Sequence, residues 1–405
     1  MGEAEPRLRM TRPLPLSGYR ILSAEQYGAG PYGSMLLAQL GAEVIKIEPP
    51  KGGDSARAAG PFFLGANDSL FYQTFNLNKR SVTLDIRTEA GRDVLHRLVR
   101  TADAVTNNAR GDLPARLGLD YAALGTVNPK IVCVHASAYG RTGQRASWPG
   151  YDYLMQAEAG YMALTGAPED PPTRFGLSMV DFMTGSLLST ATLAGLIEAK
   201  ATGVGRDYDL SLLDAALHQT SYPAIWYLNE DYEVSRAPRS AHPSVTPSQI
   251  FPTADGWVFV MAQLPKFWEL LVERLGVAGL KDDPRFRSVA DRLENRDELT
   301  ALLDDVFRQQ PSDHWLNLLG GVIPVAPVLT LPEALDNPRV ADMIDTVSHP
   351  DHRDGIRVLA NPVKLDGARV PNRAAPKLGA DSDALLAEVG YDAAEIADLR
   401  AAGVV

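Results

Sequence analysis

The sequence contains almost no cysteine. A single residue, Cys133, cannot form an internal disulfide or a cysteine-rich metal centre. It lies in the apolar run Ile131–Val134, which predicts a small side chain in the protein core. We therefore exclude a disulfide scaffold and predict no metal site.

A long hydrophobic run is also missing. No stretch of about 18 apolar residues, typical of a membrane-spanning helix, occurs in the chain. The first 18 residues are polar and proline-rich and have no apolar signal-peptide core. We expect a cytoplasmic protein without a membrane partner. Positive charge is not in excess either, because the net charge is −11. This balance argues against non-specific nucleic-acid binding, although a local basic patch could still bind an anionic ligand.

The chain contains enough apolar residues for a large core. These residues are arranged in an α/β pattern. The chain has 405 residues, of which 45% are hydrophobic, and this length predicts two or three domains. Residues 19–23 and 42–48 read as buried strands, with an apolar helix at 34–40 between them. This strand–helix–strand unit is typical of the start of a parallel sheet.

The loop after the first strand contains a G-x-G-x-x-G pattern at Gly28, Gly30 and Gly33. Glu48 follows Gly28 by twenty residues, where a dinucleotide-binding fold has its ribose-binding acid. On its own this pattern indicates an NAD enzyme. Pro31 argues against that interpretation because it removes a backbone N–H. The glycines could instead admit a phosphate or an oxyanion to the backbone, or form a tight structural turn.

Further strands are predicted at 82–86, 102–105 and 131–135, with a helix at 88–100. Polar loops follow them, where ligands bind in open α/β sheets. Basic residues cluster in this part of the chain and form either a solvated surface or a phosphate-binding patch. They are Lys79, Arg80, Arg87, Arg110 and Arg116.

Residues 149–190 comprise two amphipathic segments joined by a proline- and glycine-rich connector. Asp181 lies where the connector ends and an apolar helix to Glu198 begins. A carboxylate at this position can be a helix N-cap. It can also be a nucleophile, flanked by small residues that leave room for a substrate. These residues alone leave both interpretations open.

A strand is predicted at 207–211 and a helix at 212–227. Composition then changes at residues 236–252, a proline- and serine-rich link. A strand at 257–261 and helices at 266–275, 297–308 and 311–319 follow, and the chain ends in a short amphipathic helix. We predict a large domain at 18–228, a small inserted domain at 229–330, and a return to the large domain at 331–405.

Seven stretches, taken in order, resemble the class III CoA-transferases of the formyl-CoA and carnitine-CoA type, whose superfamily includes α-methylacyl-CoA racemases. The similarity covers nearly the whole chain, and the ordered set is more specific than any single motif. The stretches are residues 28–57, 75–92, 116–124, 128–143, 149–166 and 180–186, and the C-terminal GYD…EI…L…GVV.

The resemblance implies an α/β fold. A Rossmann-like large domain would be built from both chain ends, with a smaller α+β domain inserted between them. It also implies an interlocked homodimer.

The resemblance further implies chemistry. Asp181 matches the catalytic aspartate, which would form an anhydride and then a thioester with CoA. CoA would be a substrate moiety, not a tightly bound cofactor, and the partners would be an acyl-CoA and a small carboxylic acid. Backbone N–H groups near Gly28 and Ala29 would stabilise the oxyanion. The other implied CoA contacts are Leu84, Asp85, Ile86, Arg87, Asn108, Ala109, Arg110, Arg116, Tyr151 and Asp152.

Position 151 separates transfer from racemisation. Racemases of this superfamily have a histidine there, whereas this chain has Tyr151. Tyrosine, with a pKa of about 10, is a poor base for an α-proton at neutral pH. We therefore favour CoA transfer, with a 2-methylacyl-CoA racemase, an NAD-dependent dehydrogenase and a non-catalytic CoA-binding protein as alternatives. Two departures from the family pattern are the loop NNARGD at 107–112 and the absence of a glycine run near His242.

Overall fold

The structure is a computed structural model and describes residues 12–405; the start of the polar lead-in lies outside the described residues. The chain divides into two compact units. Unit 1 comprises residues 12–159, 176–220 and 341–405, and unit 2 comprises 160–175 and 221–340. Unit 1 is thus assembled from both ends of the chain. The domain limits at residues 228 and 330 stay a prediction.

In chain order the strands are β1 Arg20–Ala24, β2 Glu43–Glu48, β3 Phe63–Gly65, β4 Asp68–Ser69, β5 Arg80–Thr83, β6 Ala104–Asn107, β7 Val132–Ser137, β8 Asp207–Ser211, β9 Ser248–Pro252, β10 Trp257–Met261, β11 Val325–Pro327, β12 Ile344–His349, β13 His352–Leu359, β14 Lys364–Leu365 and β15 Ala368–Arg369. The α-helices are α1 Ala29–Gln39, α2 Leu70–Asn76, α3 Glu89–Val99, α4 Leu113–Leu117, α5 Tyr121–Leu124, α6 Asp152–Glu158, α7 Tyr161–Leu164, α8 Met179–Thr202, α9 Leu212–Gln219, α10 Ser221–Glu230, α11 Pro265–Arg274, α12 Val289–Glu294, α13 Arg296–Phe307, α14 Ser312–Leu319, α15 Leu331–Leu335, α16 Ser382–Glu388 and α17 Ala393–Ala401.

Six parallel strands form the central sheet of unit 1, in the order β5-β2-β1-β6-β7-β8. Numbered by their appearance among these six, the order is 3-2-1-4-5-6, that of a doubly wound dinucleotide-binding fold. Helices pack on both faces, and the central strands β1, β6 and β7 are largely or fully buried. Cys133 is fully buried in β7, and burial raises the pKa of its thiol. The predicted parallel α/β sheet and the core position of Cys133 are confirmed.

The helix predicted at 34–40 spans residues 29–39, and the strand predicted at 102–105 spans 104–107. Two further elements differ for identifiable reasons. The strand predicted at 82–86 spans 80–83. Beyond it, Asp85 leaves the sheet because its N–H donates to Val404 O (2.8 Å) and its carboxylate accepts two bonds from the Arg87 guanidinium. The single helix predicted at 212–227 is two helices, α9 and α10. Ser221 separates them with a φ of 54°, a left-handed conformation that interrupts helical geometry.

Helix α8 is the long central helix of unit 1 and packs against α1. Gly33 and Gly185 face each other, and a Cβ atom at position 185 would lie 2.5 Å from Ala29 O. Ser189 Oγ also donates to Gly33 O (2.8 Å). By length and composition alone α8 could cross a membrane. Its buried side instead packs in the core of unit 1 through residues such as Leu188 and Leu196.

Unit 2 has its own core around the antiparallel sheet β11-β10-β9. Trp268, Phe307 and Trp315 lie on the helices that cover this sheet, and each is nearly or fully buried. The strand predicted at 257–261 is β10, and the helices predicted nearby are α11, α13 and α14.

Candidate active site

The order of the central sheet reverses between β1 and β6, and ligands of open α/β sheets bind outside the carboxyl ends of strands at such a point. Two hydrogen bonds join the loops that follow these strands. Gln26 N–H donates to Asn108 Oδ1 (2.8 Å), and Asn108 Nδ2 donates to Gln26 O (2.6 Å). The glycine loop and the predicted CoA loop are therefore joined directly.

Each glycine of the G-x-G-x-x-G pattern allows a close approach. A Cβ atom at position 28 would lie 2.5 Å from Oδ2 of Asp181, and one at position 30 would lie 3.0 Å from Cβ of Asn108. Gly33 allows α8 to pack against α1. These contacts account for the three glycines without a dinucleotide.

Glu48, the acid of the NAD interpretation, is not available to a ribose. It is fully buried, and its carboxylate accepts bonds from Arg57 Nε (2.7 Å) and Ser81 Oγ (2.6 Å). Burial opposes ionisation of Glu48, but Arg57 outweighs it and holds the pKa of Glu48 below its usual range. The ribose-binding role that the NAD alternative would give Glu48 is therefore not supported, because Arg57, nine residues later, folds back onto it.

Asp181 is the third residue of α8, and Ser178 is the N-cap residue. The N-cap interpretation of Asp181 is therefore wrong. Its half-buried carboxylate lies against Gly28, where α1 begins. The first N–H groups of an α-helix have no partner within the helix, and its amino end has positive potential. Asp181 thus lies beside the amino ends of two helices, α1 and α8.

A second carboxylate orients Asp181. Asp152 Oδ2 accepts the backbone N–H of Asp181 (3.0 Å), and Gln156 Nε2 donates to Asp152 Oδ1 (2.6 Å) and to Leu177 O (3.0 Å). Asp152 is itself buried. Burial, together with the negative charge of Asp152, raises the pKa of Asp181 to about 7. A carboxyl with this pKa exchanges its proton near neutral pH, as functional carboxyls often do.

Tyr151 precedes Asp152 and is 66% exposed. Its ring packs edge-on to that of Tyr27, with 6.5 Å between ring centroids. The structure therefore brings together five of the predicted site residues: Gly28, Ala29, Tyr151, Asp152 and Asp181. Their roles in binding and catalysis stay a prediction.

The remaining predicted contacts follow β5 and β6 at the carboxyl edge of the sheet. Leu84 is buried in the core, Ile86 packs against it, and Arg87 is exposed but paired with Asp85 (2.8 Å). Ala109 is partly buried. Arg110 and Arg116 share Asp112, at 3.2 and 3.4 Å. These two arginines form the exposed positive surface next to Asn108.

Two members of the proposed basic patch lie elsewhere. Arg80 is at the amino end of β5, the opposite edge of the sheet, where it pairs with Glu43 and with Glu388 (3.0 Å). Lys79 is buried and donates to Pro31 O (2.9 Å) and Asn76 Oδ1 (3.0 Å). Burial lowers the pKa of Lys79 to about 7. Their adjacent positions in the sequence did not reveal that Arg80 lies at the opposite edge of the sheet and that Lys79 is buried.

Sequence reasoning missed Tyr27 and Asp54. Tyr27 has a φ of 69°, and its N–H donates to Asp54 Oδ1 (3.0 Å). Asp54 is fully buried and pairs with Lys46 Nζ (2.8 Å). The position of Tyr27 directly before the first glycine was the only sequence signal available. The role of Asp54 depends on a contact across 27 residues.

His242, a candidate for contact with a substrate carboxylate, lies in unit 2. Its ring stacks on Tyr222 with 5.7 Å between ring centroids, and its Nδ1 accepts the N–H of Ser244 (3.2 Å). Burial, with a contribution from Arg296, lowers the pKa of His242. These contacts are those of an ordinary loop histidine.

Comparison with known proteins shows close relatives. The family model described as CoA-transferase family III matches residues 16–382. Succinate–glutarate CoA-transferase of Agrobacterium fabrum is 32% identical over 93% of this chain and 96% of its own length. Human succinyl-CoA:glutarate CoA-transferase is 33% identical over 99% of this chain and 92% of its own length.

Solved structures agree. A CAIB/BAIF family protein from Brucella suis superposes with a TM-score of 0.81 at 31% identity, over 93% of this chain and all of the other. Rv3272 from Mycobacterium tuberculosis gives the same TM-score at 30% identity, over 92% of this chain and 99% of the other. These matches confirm the resemblance inferred from the sequence motifs, and the chain belongs to CoA-transferase family III.

Proposed function

We propose that this enzyme moves CoA from an acyl-CoA thioester to a free carboxylic acid through covalent intermediates on Asp181. The observation that carries the proposal is the half-buried Asp181 carboxylate, which lies against Gly28 at the amino ends of α1 and α8. Such a carboxylate can attack a thioester while backbone N–H groups stabilise the oxyanion.

The first half-reaction loads the enzyme. A carboxylate oxygen of Asp181 attacks the thioester carbon, the C–S bond breaks, and CoA leaves as a thiolate, so that a mixed anhydride forms. The thiolate then attacks the Asp181 carbonyl carbon. The anhydride C–O bond breaks, the first acid leaves as a carboxylate, and Asp181 carries CoA as a thioester.

The second half-reaction reverses these steps with another acid. The acceptor carboxylate attacks the aspartyl thioester and displaces CoA thiolate, which gives a second anhydride. The thiolate attacks the acceptor acyl carbon, a new acyl-CoA forms, and Asp181 returns as a carboxylate. In each step one anion attacks and another is released, so no other co-reactant is needed.

CoA is proposed to lie along the carboxyl edge of the sheet, with Arg110 and Arg116 as phosphate contacts. Both guanidinium groups are exposed and share only Asp112, so an anionic ligand can compete for them. Tyr151 and Asp152 would lie near the thioester. The rest of CoA would contact Leu84, Asp85, Ile86, Arg87, Asn108 and Ala109.

Trapping tests the covalent step. The enzyme is incubated with an acyl-CoA, treated with hydroxylamine or borohydride, and digested for peptide mapping by mass spectrometry. We expect modification at Asp181 and an intact-protein adduct of the mass of CoA. The matched variant Asp181→Asn should give neither. Modification elsewhere, or full turnover by Asp181→Asn, would refute the mechanism.

A homodimer is proposed as the working form, with interlocked chains as the family resemblance implies. Helix α10 supports it because every one of its residues is at least partly exposed, including Ile225 and Leu228 at 57 and 72%. Exposed apolar surface of this kind favours association. Sedimentation should give twice the chain mass, and a monomeric active enzyme would contradict the proposal. The cytoplasm is proposed as its location, which cell fractionation can test.

A further inference from the structure

Unit 1 contains a continuous row of six aromatic rings that includes Phe182, the residue after Asp181. Successive ring centroids are between 4.9 Å (Tyr27–Phe71) and 6.5 Å (Tyr27–Tyr151) apart, within the usual range of aromatic pairs. The row comprises Tyr151, Tyr27, Phe71, Phe75, Phe182 and Tyr32.

Three of these rings adjoin the groups that define the site. Tyr27 precedes Gly28, whose Cα faces the Asp181 carboxylate, and Phe182 follows Asp181. Tyr151 precedes Asp152, which binds the Asp181 N–H. The acyl group on Asp181 would therefore lie among aromatic side chains.

Tyr27 is held in place by the backbone. Its left-handed φ of 69° is uncommon for a residue other than glycine and persists only where surrounding structure maintains it. Asp54 does so by accepting the Tyr27 N–H, and Lys46 fixes Asp54. The ring nevertheless stays 40% exposed, so it is available to a ligand.

The three buried cations among the described residues of this unit are engaged with other groups. Lys46 pairs with Asp54, Arg57 pairs with Glu48, and Lys79 donates to Pro31 O. Within residues 12–405, no lysine or arginine is paired with Asp181. Its raised pKa agrees, because a nearby cation would lower it.

We propose that the acyl subsite beside Asp181 takes apolar monocarboxylates with an aromatic or branched carbon skeleton, in preference to dicarboxylates. This inference rests on the proposed function. Flat or branched apolar groups gain from contact with aromatic rings. The second carboxylate of a dicarboxylate would lose water without gaining a cationic partner.

Acceptor competition tests the preference. Initial rates of CoA transfer from one acyl-CoA are measured with phenylacetate, 2-methylpropanoate, succinate and glutarate. We expect kcat/KM for the better monocarboxylate to exceed that for either dicarboxylate by at least about tenfold. Equal values, or faster transfer to a dicarboxylate, would overturn the inference while leaving the proposed function intact.

Tyr27→Ala links the preference to the aromatic row. The ratio of monocarboxylate to dicarboxylate kcat/KM should fall by roughly fivefold or more, because a large apolar contact is removed. Tyr391→Ala is the matched control, since that ring packs on Arg97 at 4.0 Å and not on the row. An unchanged ratio in Tyr27→Ala, or an equal fall in Tyr391→Ala, would refute the assignment.

A binding measurement separates this inference from the mechanism. Asp181→Asn cannot turn over by the proposed route, so the affinities of phenylacetyl-CoA and succinyl-CoA can be compared directly by calorimetry. Tighter binding of phenylacetyl-CoA, by about tenfold, supports the subsite. Tighter binding of succinyl-CoA overturns it. If trapping fails at Asp181 and no acid is exchanged, the proposed function fails, and this inference falls with it.

Discussion

Asp181→Asn should make the folded protein more stable at alkaline pH while abolishing transfer. The carboxyl titrates near pH 7 in the native state against an ordinary value of 3.8, a difference of about 3 pH units. Between these two values the native state holds a proton that the unfolded chain has lost. Stability therefore decreases as pH rises through this window, and the effect is complete above pH 7.

The magnitude follows from that difference. One pH unit is worth about 1.4 kcal/mol, so the ionised Asp181 costs at most about 4 kcal/mol of folding free energy at pH 8. By the same relation, about 2.6 kcal/mol of this cost develops between pH 5 and pH 8. Because the side chain is only half-buried, water screens part of it, and we expect a change of roughly 1–2.6 kcal/mol.

Urea unfolding of the wild type, Asp181→Asn and the control Asp170→Asn, each at pH 5 and pH 8, measures the change. Asp170 is an exposed carboxylate of unit 2, so its substitution should leave the pH dependence unaltered. The wild type should lose more stability than Asp181→Asn between the two pH values. Parallel behaviour of all three proteins, or a less stable Asp181→Asn at pH 8, would refute the reasoning.

Three further predictions concern the groups around this carboxylate. Gly28→Ala should lower kcat/KM by at least about 100-fold while circular dichroism stays native, because its Cβ would lie 2.5 Å from Oδ2 of Asp181 and misplace it; wild-type kinetics would contradict this. Asp152→Asn should move the acidic limb of the pH–rate profile to lower pH, because removal of the neighbouring negative charge lowers the pKa of Asp181; a shift to higher pH would show that the charge of Asp152 has another role. Glu48→Gln should destabilise the fold by about 3–5 kcal/mol in urea unfolding, because it leaves Arg57 buried without its anion; a loss below 1 kcal/mol would show that Arg57 finds other partners.

The parallel α/β sheet was predictable because each strand and helix depends on residues close together in the chain. Strands β1, β2, β8 and β10 and helices α3, α11, α13 and α14 were located within a few residues. Boundaries failed where a distant group intervened, as where Val404 draws Asp85 out of the sheet. The family was also predictable, because the order of the motifs is a property of the sequence itself.

The sequence by itself therefore determined the family and the identity of Asp181 as the candidate nucleophile. Only the tertiary structure decided what surrounds Asp181: Gly28 lies against its carboxylate, and Asp152 accepts its backbone N–H. It also decided that Glu48 is buried with Arg57 and that Arg80 lies at the far edge of the sheet. The physical reason is that burial, hydrogen bonding and charge pairing act through space between segments far apart in sequence, and no local pattern records them.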